Sequence, residues 1–406
     1  MTNLDILDEE IGKPTVFIDE SKLSSEYLPT NLHYRTEDLR VVVRHYRGLF
    51  TPMRTTRKLI IVGPVGSGKT TIAKTFGQLV QNKSNKDSLN IKYVHINCRR
   101  NKSAFMILLA IIRELNSHVP ARGYSADELM EMIVDLLEAQ QITMLLVLDE
   151  VDYAIDKGSI DLIYALTRTS DDRQNADHRI ALILIARSSN FLSALDSSTS
   201  SSLSAAIMKL DPYNREQLFK IVTDRVEQSF IPNAVTQDSI MLVSEIAAIR
   251  GDARQALELM WYAGKFADTA SSSTVYPEHV RLAKANIEPA LLRRAIEEFS
   301  IHKLLLILAI AQKLKQTRKA YLTTGDAEYS YQILCEGYGE IARKHTQIWE
   351  YIKELVKLGI IVTEKSGAGL RGNTQLLSIH DVSATELEHE VKKLLQNIHK
   401  KSTVSH

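Results

Sequence analysis

Two hydrophobic patterns alternate along the first two hundred or so residues. Short, largely apolar runs stand at 58–62, 143–150 and 179–186, and a further strand, with Lys92, His95 and Asn97 among apolar positions, at 91–98. Runs of this length read as buried strands. Between them apolar positions recur with a helical period. One helix is predicted from near Thr36 to about Gly48, with Leu39, Val42, Val43 and Tyr46 on one face. Another covers Thr71-Ile72-Ala73-Lys74-Thr75-Phe76, after the first strand and a turn. Ser103 caps a helix reaching about Leu115, and Ser125 with Glu128 forms a capping box for one reaching about Gln140. Pro120 and Gly123 set the turn before the latter. Strands alternating with helices predict an α/β fold, a parallel sheet with helices on both faces. Ligands of such sheets bind at the carboxyl ends of the strands.

After about Leu210 the strand pattern stops. Helical periods near 214–230, 236–249, 251–268 and 277–287 predict a small helical domain. From Pro289 the pattern changes again. A helix over 291–315 carries Leu304, Leu305, Ile307, Leu308 and Ile310, too many apolar positions for one stripe, so it is largely buried. Further helices are predicted at 326–338 and 346–358, the latter with Ile348, Ile352, Leu355 and Val356 inward and Gly359 at its C′ position. Two short strands, 360–365 and 375–380, flank a loop with three glycines. Three helices and a β-hairpin make a winged helix-turn-helix layout. A last helix, 386–396, packs back. The serine-rich run 195–203 reads as a flexible loop, and residues 1–20, acidic and mixed, as a loosely attached arm. The predicted division is 1–20 arm, 21–210 α/β core, 211–288 helical domain and 289–406 winged helix.

Length and composition fit this division. At 406 residues the chain exceeds one ordinary core. With 50 basic and 49 acidic residues, net charge neither supports nor excludes a nucleic-acid partner, and a local patch has to decide. The two cysteines, Cys98 and Cys335, imply no disulfide framework or zinc site and suit a reducing cytoplasm. No apolar run approaches the roughly 20 residues of a membrane span, and no secretory signal is expected.

The chemistry concentrates in Gly63-Pro64-Val65-Gly66-Ser67-Gly68-Lys69-Thr70, which fits G-x-x-x-x-G-K-[ST] between a strand and a helix. Its glycines let backbone N–H groups point at phosphate oxygens, and the helix N-terminus adds partial positive charge. Lys69 would reach the β- and γ-phosphates, and Thr70 would hold Mg2+; Thr71 completes the nucleotide-binding run. Asp149, at the end of a buried strand, could hold Mg2+ beside Thr70. Glu150 could orient or deprotonate an attacking water. Asp152 reads as a helix cap. Arg254 sits in the first turn of a helix, where the dipole disfavours a cation; alone it reads as a solvated arginine. Arg343, Lys344, His345, Gln347 and Lys353 lie at or on the third helix of the winged domain, the position that enters a major groove. Gly369 and Arg371 lie in the wing, with Arg371 at its tip. The same layout also serves domains that make only protein contacts.

With these parts in this order, from Tyr27 to Leu395, the chain resembles the archaeal relatives of eukaryotic origin-recognition subunits and the cell-division-cycle loader, which are AAA+ replication initiators. Tyr27-Leu28-Pro29 with Arg35-Thr36-Glu37 resembles the family's adenine-side box, and Tyr213 joins them in the implied nucleotide-binding set. Gly251-Asp252-Ala253-Arg254 before Ala256-Leu257 is similar to its second sensor, which implies that Arg254 reaches the γ-phosphate and acts with Asp149 and Glu150 in catalysis. Val119-Pro120-Ala121-Arg122-Gly123 resembles the start of an initiator-specific insertion, which makes Arg122 a second DNA contact. Thr323-Thr324-Gly325-Asp326, with Tyr329, Tyr331 and the glycine-rich wing, resembles the family's winged helix. The resemblance implies ATP or ADP with Mg2+ as cofactors and double-stranded origin DNA as partner. A paralogous initiator subunit and the replicative helicase are further candidate partners. It also implies a cytoplasmic, nucleoid-associated protein without a membrane partner.

Two departures modify the expectation. Where relatives carry a water-positioning asparagine after the strand at 180–186, this chain has Arg187, with Asn190 three residues late. Where relatives carry Asp-Pro-Arg-x-Arg-Ser-Ser-Leu, this chain has serine at both arginine places within 196–203. An arginine finger is worth about 10³–10⁵ in rate. The expectation is a nucleotide switch with slow hydrolysis that does not stimulate a partner. A paralogue restraining initiation or transcription is the alternative. A processive AAA+ motor or clamp loader is disfavoured by the missing arginines and by the winged helix.

Overall fold

The computed structural model describes all residues except 1–7, 10, 52–54, 121–122, 169–178, 205, 288–295, 297–298, 366–374, 381 and 405–406. The chain divides into two compact units. One holds Leu28–Asn214 with Arg250–Ala253; the other holds the chain up to Tyr27, Arg215–Ile249 and the chain from Arg254 on.

In the first unit five strands, β1 (Lys58–Val62), β2 (Ile91–Asn97), β3 (Thr143–Asp149), β4 (Ile180–Ala186) and β5 (Ile207–Lys209), pair in parallel in the order β2-β3-β4-β1-β5. Every residue of β3 and β4 is buried, which is why they carry apolar runs instead of alternation. Successive side chains enter different cores. Leu146 and Leu148 pack with α3 (Ala104–Leu115) and α4 (Ala126–Ala139), while Leu145 and Val147 pack with α1 (Thr36–His45) and α2 (Lys69–Lys86). The Ser103 cap and the Ser125–Glu128 capping box form as predicted. The face of α1 differs in one residue: Val42 and Tyr46 are buried, but Val43, about 100° further round the helix, is 40% exposed.

Three expectations need correction. Residues within the serine-rich run form a helix, Ser197–Ser204, rather than a loop. The Asp196 carboxylate accepts from the backbone N–H of Thr199 at 3.0 Å, an N-cap, and Thr199 and Leu203 are buried. Residues 15–20 are not loosely attached. The Phe17 ring packs on Phe230 with centroids 4.6 Å apart and fills space that a side chain at Gly264 would occupy. Val16 N–H donates to Asp268, and Glu20 accepts from Trp261 and Lys265. The long helix predicted from 291 begins at Ile301: Ser300 is extended (φ −62°, ψ 154°), and its carbonyl accepts from the N–H groups of Lys303 and Leu304, so Ser300 is the N-cap.

The second unit places four helices, Arg215–Ser229, Gln237–Ala248, Ala253–Thr269 and Pro277–Ile287, before Ile301–Thr317, whose residues Leu304–Ala311 are all buried. Helices Thr324–Gly337 and His345–Lys357 follow, then strands Val362–Lys365 and Gln375–Ser378. A short strand, Leu322–Thr323, which the hydrophobic pattern did not reveal, extends this hairpin to an antiparallel sheet. The last helix, Ala384–Val404, is longer than predicted. Fully buried Arg281 joins the lid helices to the winged domain, donating to the carbonyls of Ile379, Ala320 and Lys319. Cys98 and Cys335 are buried and free. Among the described residues no helix is long and apolar enough to cross a membrane.

Candidate nucleotide and nucleic-acid sites

The turn between β1 and α2 is held by backbone conformation. Gly66 (φ 72°) and Gly68 (φ 91°) both take left-handed values that other residues adopt at a cost, and Gly68 starts the helix. Ser67 Oγ donates to the Pro64 carbonyl at 2.9 Å. Lys69 Nζ donates to the carbonyls of Gly63 and Pro64, each at 2.7 Å, which places its ammonium across the loop. The first turn of α2 directs its N–H groups into the same loop.

Parallel pairing brings the strand ends beside this turn. Thr70 Oγ1 donates to Asp149 Oδ2 at 2.8 Å, and His95 Nε2 lies 3.3 Å from the same oxygen. Burial alone would raise the Asp149 pKa, but the hydrogen bonds from His95 and Thr70 outweigh it and hold the carboxyl below its ordinary value. Glu150 follows in a left-handed conformation (φ 57°), and Asn97 Nδ2 donates to its carboxylate at 3.1 Å. Asp152 is not the helix cap expected: Glu150 is the N-cap of helix Val151–Asp156, and Asp152, in its first turn, takes the N–H groups of Tyr153 and Arg187, so the backbone of Arg187 is fixed just past β4 while the residue stays exposed.

On another side of the turn the Arg35 guanidinium stacks on the Tyr213 ring, 4.3 Å from its centroid, and pairs with Asp38 at 3.1 Å. Arg35 Nε is buried without a hydrogen-bond partner and lies 3.8 Å from where a Cβ on Gly68 would stand. The Arg250–Ala253 connection packs here too: Ala253 N–H donates to Gly66 O, and a side chain on Gly66 would collide with Asp252. The structure thus brings together Gly63–Thr71, Asp149, Glu150, Arg35 and Tyr213, with half-buried Leu28 in the same unit. Tyr27 and Arg254 belong to the other unit. The Tyr27 ring lies between Lys22 and Arg225, each 4.5 Å from its centroid.

These residues fit a nucleotide with its cation. The orphaned Arg35 Nε lies beside Gly68, and Gly66 and Gly68, both left-handed, hold the loop backbone in a turn that leaves no room for side chains against Asp252 and Tyr213. Among the described residues no group of three or more His, Cys, Asp or Glu could hold a metal ion. A cation at Thr70 and Asp149 would take one hydroxyl and one carboxylate, leaving its other positions to phosphate and water. That is how Mg2+ is ordinarily held at phosphates.

In the winged domain Arg343, Lys344, His345 and Gln347 are exposed at the start of helix His345–Lys357. Arg343 N–H donates to the buried Tyr331 hydroxyl at 3.2 Å, and His345 Nδ1 lies 2.7 Å from Glu328. Lys353, two turns along, donates to Glu350 at 3.0 Å. Arg122, Gly369 and Arg371 lie outside the described residues.

Family models match all three parts of the chain: an AAA domain over 53–195, the Cdc6 AAA+ ATPase-type lid domain over 219–285, and the CDC6 C-terminal winged helix domain over 294–389. An ORC1-type DNA replication protein 2 of Sulfurisphaera tokodaii is 33% identical, covering 97% of this chain and 96% of its own length. The chain belongs to the ORC1/Cdc6-type DNA replication proteins. A second ORC1-type relative, from Sulfolobus acidocaldarius, is 33% identical over 92% of both chains. Among solved members of the family, Cdc6p from Pyrobaculum aerophilum superposes with a TM-score of 0.81 at 28% identity, over 94% of this chain and 99% of that one. The Aeropyrum pernix ORC1 protein, solved in complex with DNA, gives a TM-score of 0.63 at 26% identity, over 94% and 98%. The AAA+ core, lid and winged helix expected from the motifs are the family's own parts.

Three residues at the ORC1/Cdc6-type core went unread in the sequence. Asn97, His95 and Tyr93 sit on β2, and only the register that sets Asn97 opposite Asp149 brings them to the acidic strand end. The one signal available was Asn97, a polar residue at the end of the strand.

Proposed function

We propose that the chain is an ATP-dependent replication initiator that binds duplex origin DNA and uses its nucleotide as a switch, with slow hydrolysis. The observation that carries this reading is a complete phosphate loop, with Thr70 bonded to Asp149, in the same chain as a family winged helix whose recognition helix opens with exposed Arg343, Lys344 and His345. The loop N–H groups and Lys69 bind the β- and γ-phosphates. Thr70 and Asp149 hold Mg2+, which neutralises phosphate charge when bound. Leu28, Arg35 and Tyr213 line the nucleoside side. Glu150 orients water. Asn97 holds its carboxylate, Arg187 replaces the expected asparagine, and the finger positions are serines on helix Ser197–Ser204; these features favour holding nucleotide over turning it over. The DNA complex of the A. pernix relative supports the DNA reading. Arg122, Gly369 and Arg371 complete the proposed DNA surface.

The serine substitutions also favour a second reading, a paralogue that restrains initiation or transcription at the same DNA. Genome-wide footprinting separates the two: peaks at origins support the initiator, and peaks spread over promoters support the regulator. Within the winged helix, Lys344→Ala weakens duplex binding by about 1 kcal/mol and lowers the magnitude of the salt slope by about one. Lys353→Ala does less, because Lys353 already pairs with Glu350. Fluorescence anisotropy over a salt series checks both variants.

A further inference from the structure

We propose that His95, supported by Tyr93 and Gly77, is a positioning residue that orients the Asp149 carboxylate for binding a divalent cation with ATP. The inference rests on the reading of Thr70 and Asp149 as the Mg2+ side of the nucleotide site.

Three elements converge on one oxygen. Asp149 Oδ2 accepts from Thr70 on α2 at 2.8 Å and has His95 Nε2 of β2 3.3 Å away. An ionised carboxylate can only accept, so Nε2 carries the ring proton. The Tyr93 hydroxyl lies 2.8 Å from Nδ1 and can donate to it or accept from it, so the ring is held at both nitrogens. This relay, Tyr93 to His95 to Asp149, fixes the ring plane, as outer partners of metal ligands do.

The relay has a dedicated seat. Gly77 lies inside α2, where glycine costs about 1 kcal/mol relative to alanine, and a side chain there would collide with the Tyr93 ring. The helix that carries Thr70 gives up that stability at the position where the ring enters. His95 and Asp149 are largely enclosed, with side-chain exposures of 14% and 5%, so water competes little for the bond. Without His95 the side-chain support of the carboxylate reduces to Thr70, beside the Glu150 backbone N–H. His95 holds it from the neighbouring strand.

The test follows ATP binding by the full-length protein as Mg2+ is titrated, and again in EDTA. His95→Leu raises the Mg2+ concentration for half-maximal ATP binding by about 10–100-fold, while ATP affinity in EDTA and the thermal midpoint of the free protein stay near wild type. Tyr93→Phe keeps the ring in its seat and gives a smaller shift in the same direction. His95→Gln, whose amide can still donate, recovers part of the loss. An unshifted Mg2+ midpoint in folded His95→Leu and Tyr93→Phe overturns the proposal. So does an equal loss in EDTA and in Mg2+, which marks a packing role. Wild-type ATP binding indifferent to Mg2+ overturns the cation reading of Asp149 itself, and a wild type that binds no ATP overturns the nucleotide reading.

Discussion

Lys69→Ala binds ATP about 10–150-fold more weakly than the wild type. The ammonium lies across the phosphate loop, held 2.7 Å from each of two carbonyls, those of Gly63 and Pro64. In the proposed complex it meets phosphate oxygens. A hydrogen bond to a charged group contributes about 1.5–3 kcal/mol, which sets the range of the loss. The loop itself does not depend on the lysine. Ser67 ties Pro64 from within, and Gly66 and Gly68 hold the turn by their backbone angles. The thermal midpoint without nucleotide therefore moves little, and a fluorescent-nucleotide titration isolates the binding term. Lys69→Arg does not restore affinity, because a planar, longer head group does not fit where a compact ammonium spans two carbonyls. Wild-type affinity in Lys69→Ala would remove the phosphate-loop reading.

Arg281→Ala destabilises the lid and winged-helix unit by about 3–5 kcal/mol, the usual loss when one partner of a buried ion pair is removed. Arg281 is wholly enclosed, and its guanidinium serves four acceptors. Nε donates to Ile379 O at 2.9 Å, and Nη2 to Ala320 O at 2.9 Å and Lys319 O at 3.3 Å. Nη1 pairs with Glu278 at 3.4 Å. Glu278 in turn accepts from Thr385 N–H at 2.9 Å, at the start of the final helix. Alanine leaves three carbonyls, two of them buried, and a carboxylate without their cation, together with a cavity. Lys353→Ala tests the specificity of the effect. Lys353 also forms an ion pair in this unit, with Glu350 at 3.0 Å, but both side chains are more than half exposed, so its loss costs less. Chemical denaturation followed by the two tryptophans, Trp261 and Trp349, reads this unit, because both lie in it. Equal, small losses for the two variants would show that the buried network contributes little.

How far the sequence could be read depended on how local the cause was. Strands β1, β3 and β4 were legible because a sheet covered on both faces needs apolar runs, and the phosphate loop because its glycines and Lys69 act within eight consecutive residues. The helix at Ser197–Ser204 was not, since serine content says nothing of the Asp196 cap or of buried Leu203. Phe17 was missed because its partners, Phe230 and Gly264, lie more than two hundred residues away. His95 and Asn97 meet Asp149 and Glu150 only through the pairing of β2 with β3, a register that no single stretch encodes. Lys353 read as a groove-facing cation, yet the three-residue spacing from Glu350 lets the two pair on the helix surface.

Duplex-DNA affinity of the ATP-loaded wild-type protein, measured across a salt series, tests the account most directly. Each phosphate contact contributes about 0.9 to the slope of log affinity against log salt. Arg343, Lys344 and His345 at one helix start, with the proposed wing and insertion contacts, predict a steep fall, a slope of about −3 or steeper. A slope near zero would mean that the winged helix makes few or no phosphate contacts, and would contradict the initiator reading.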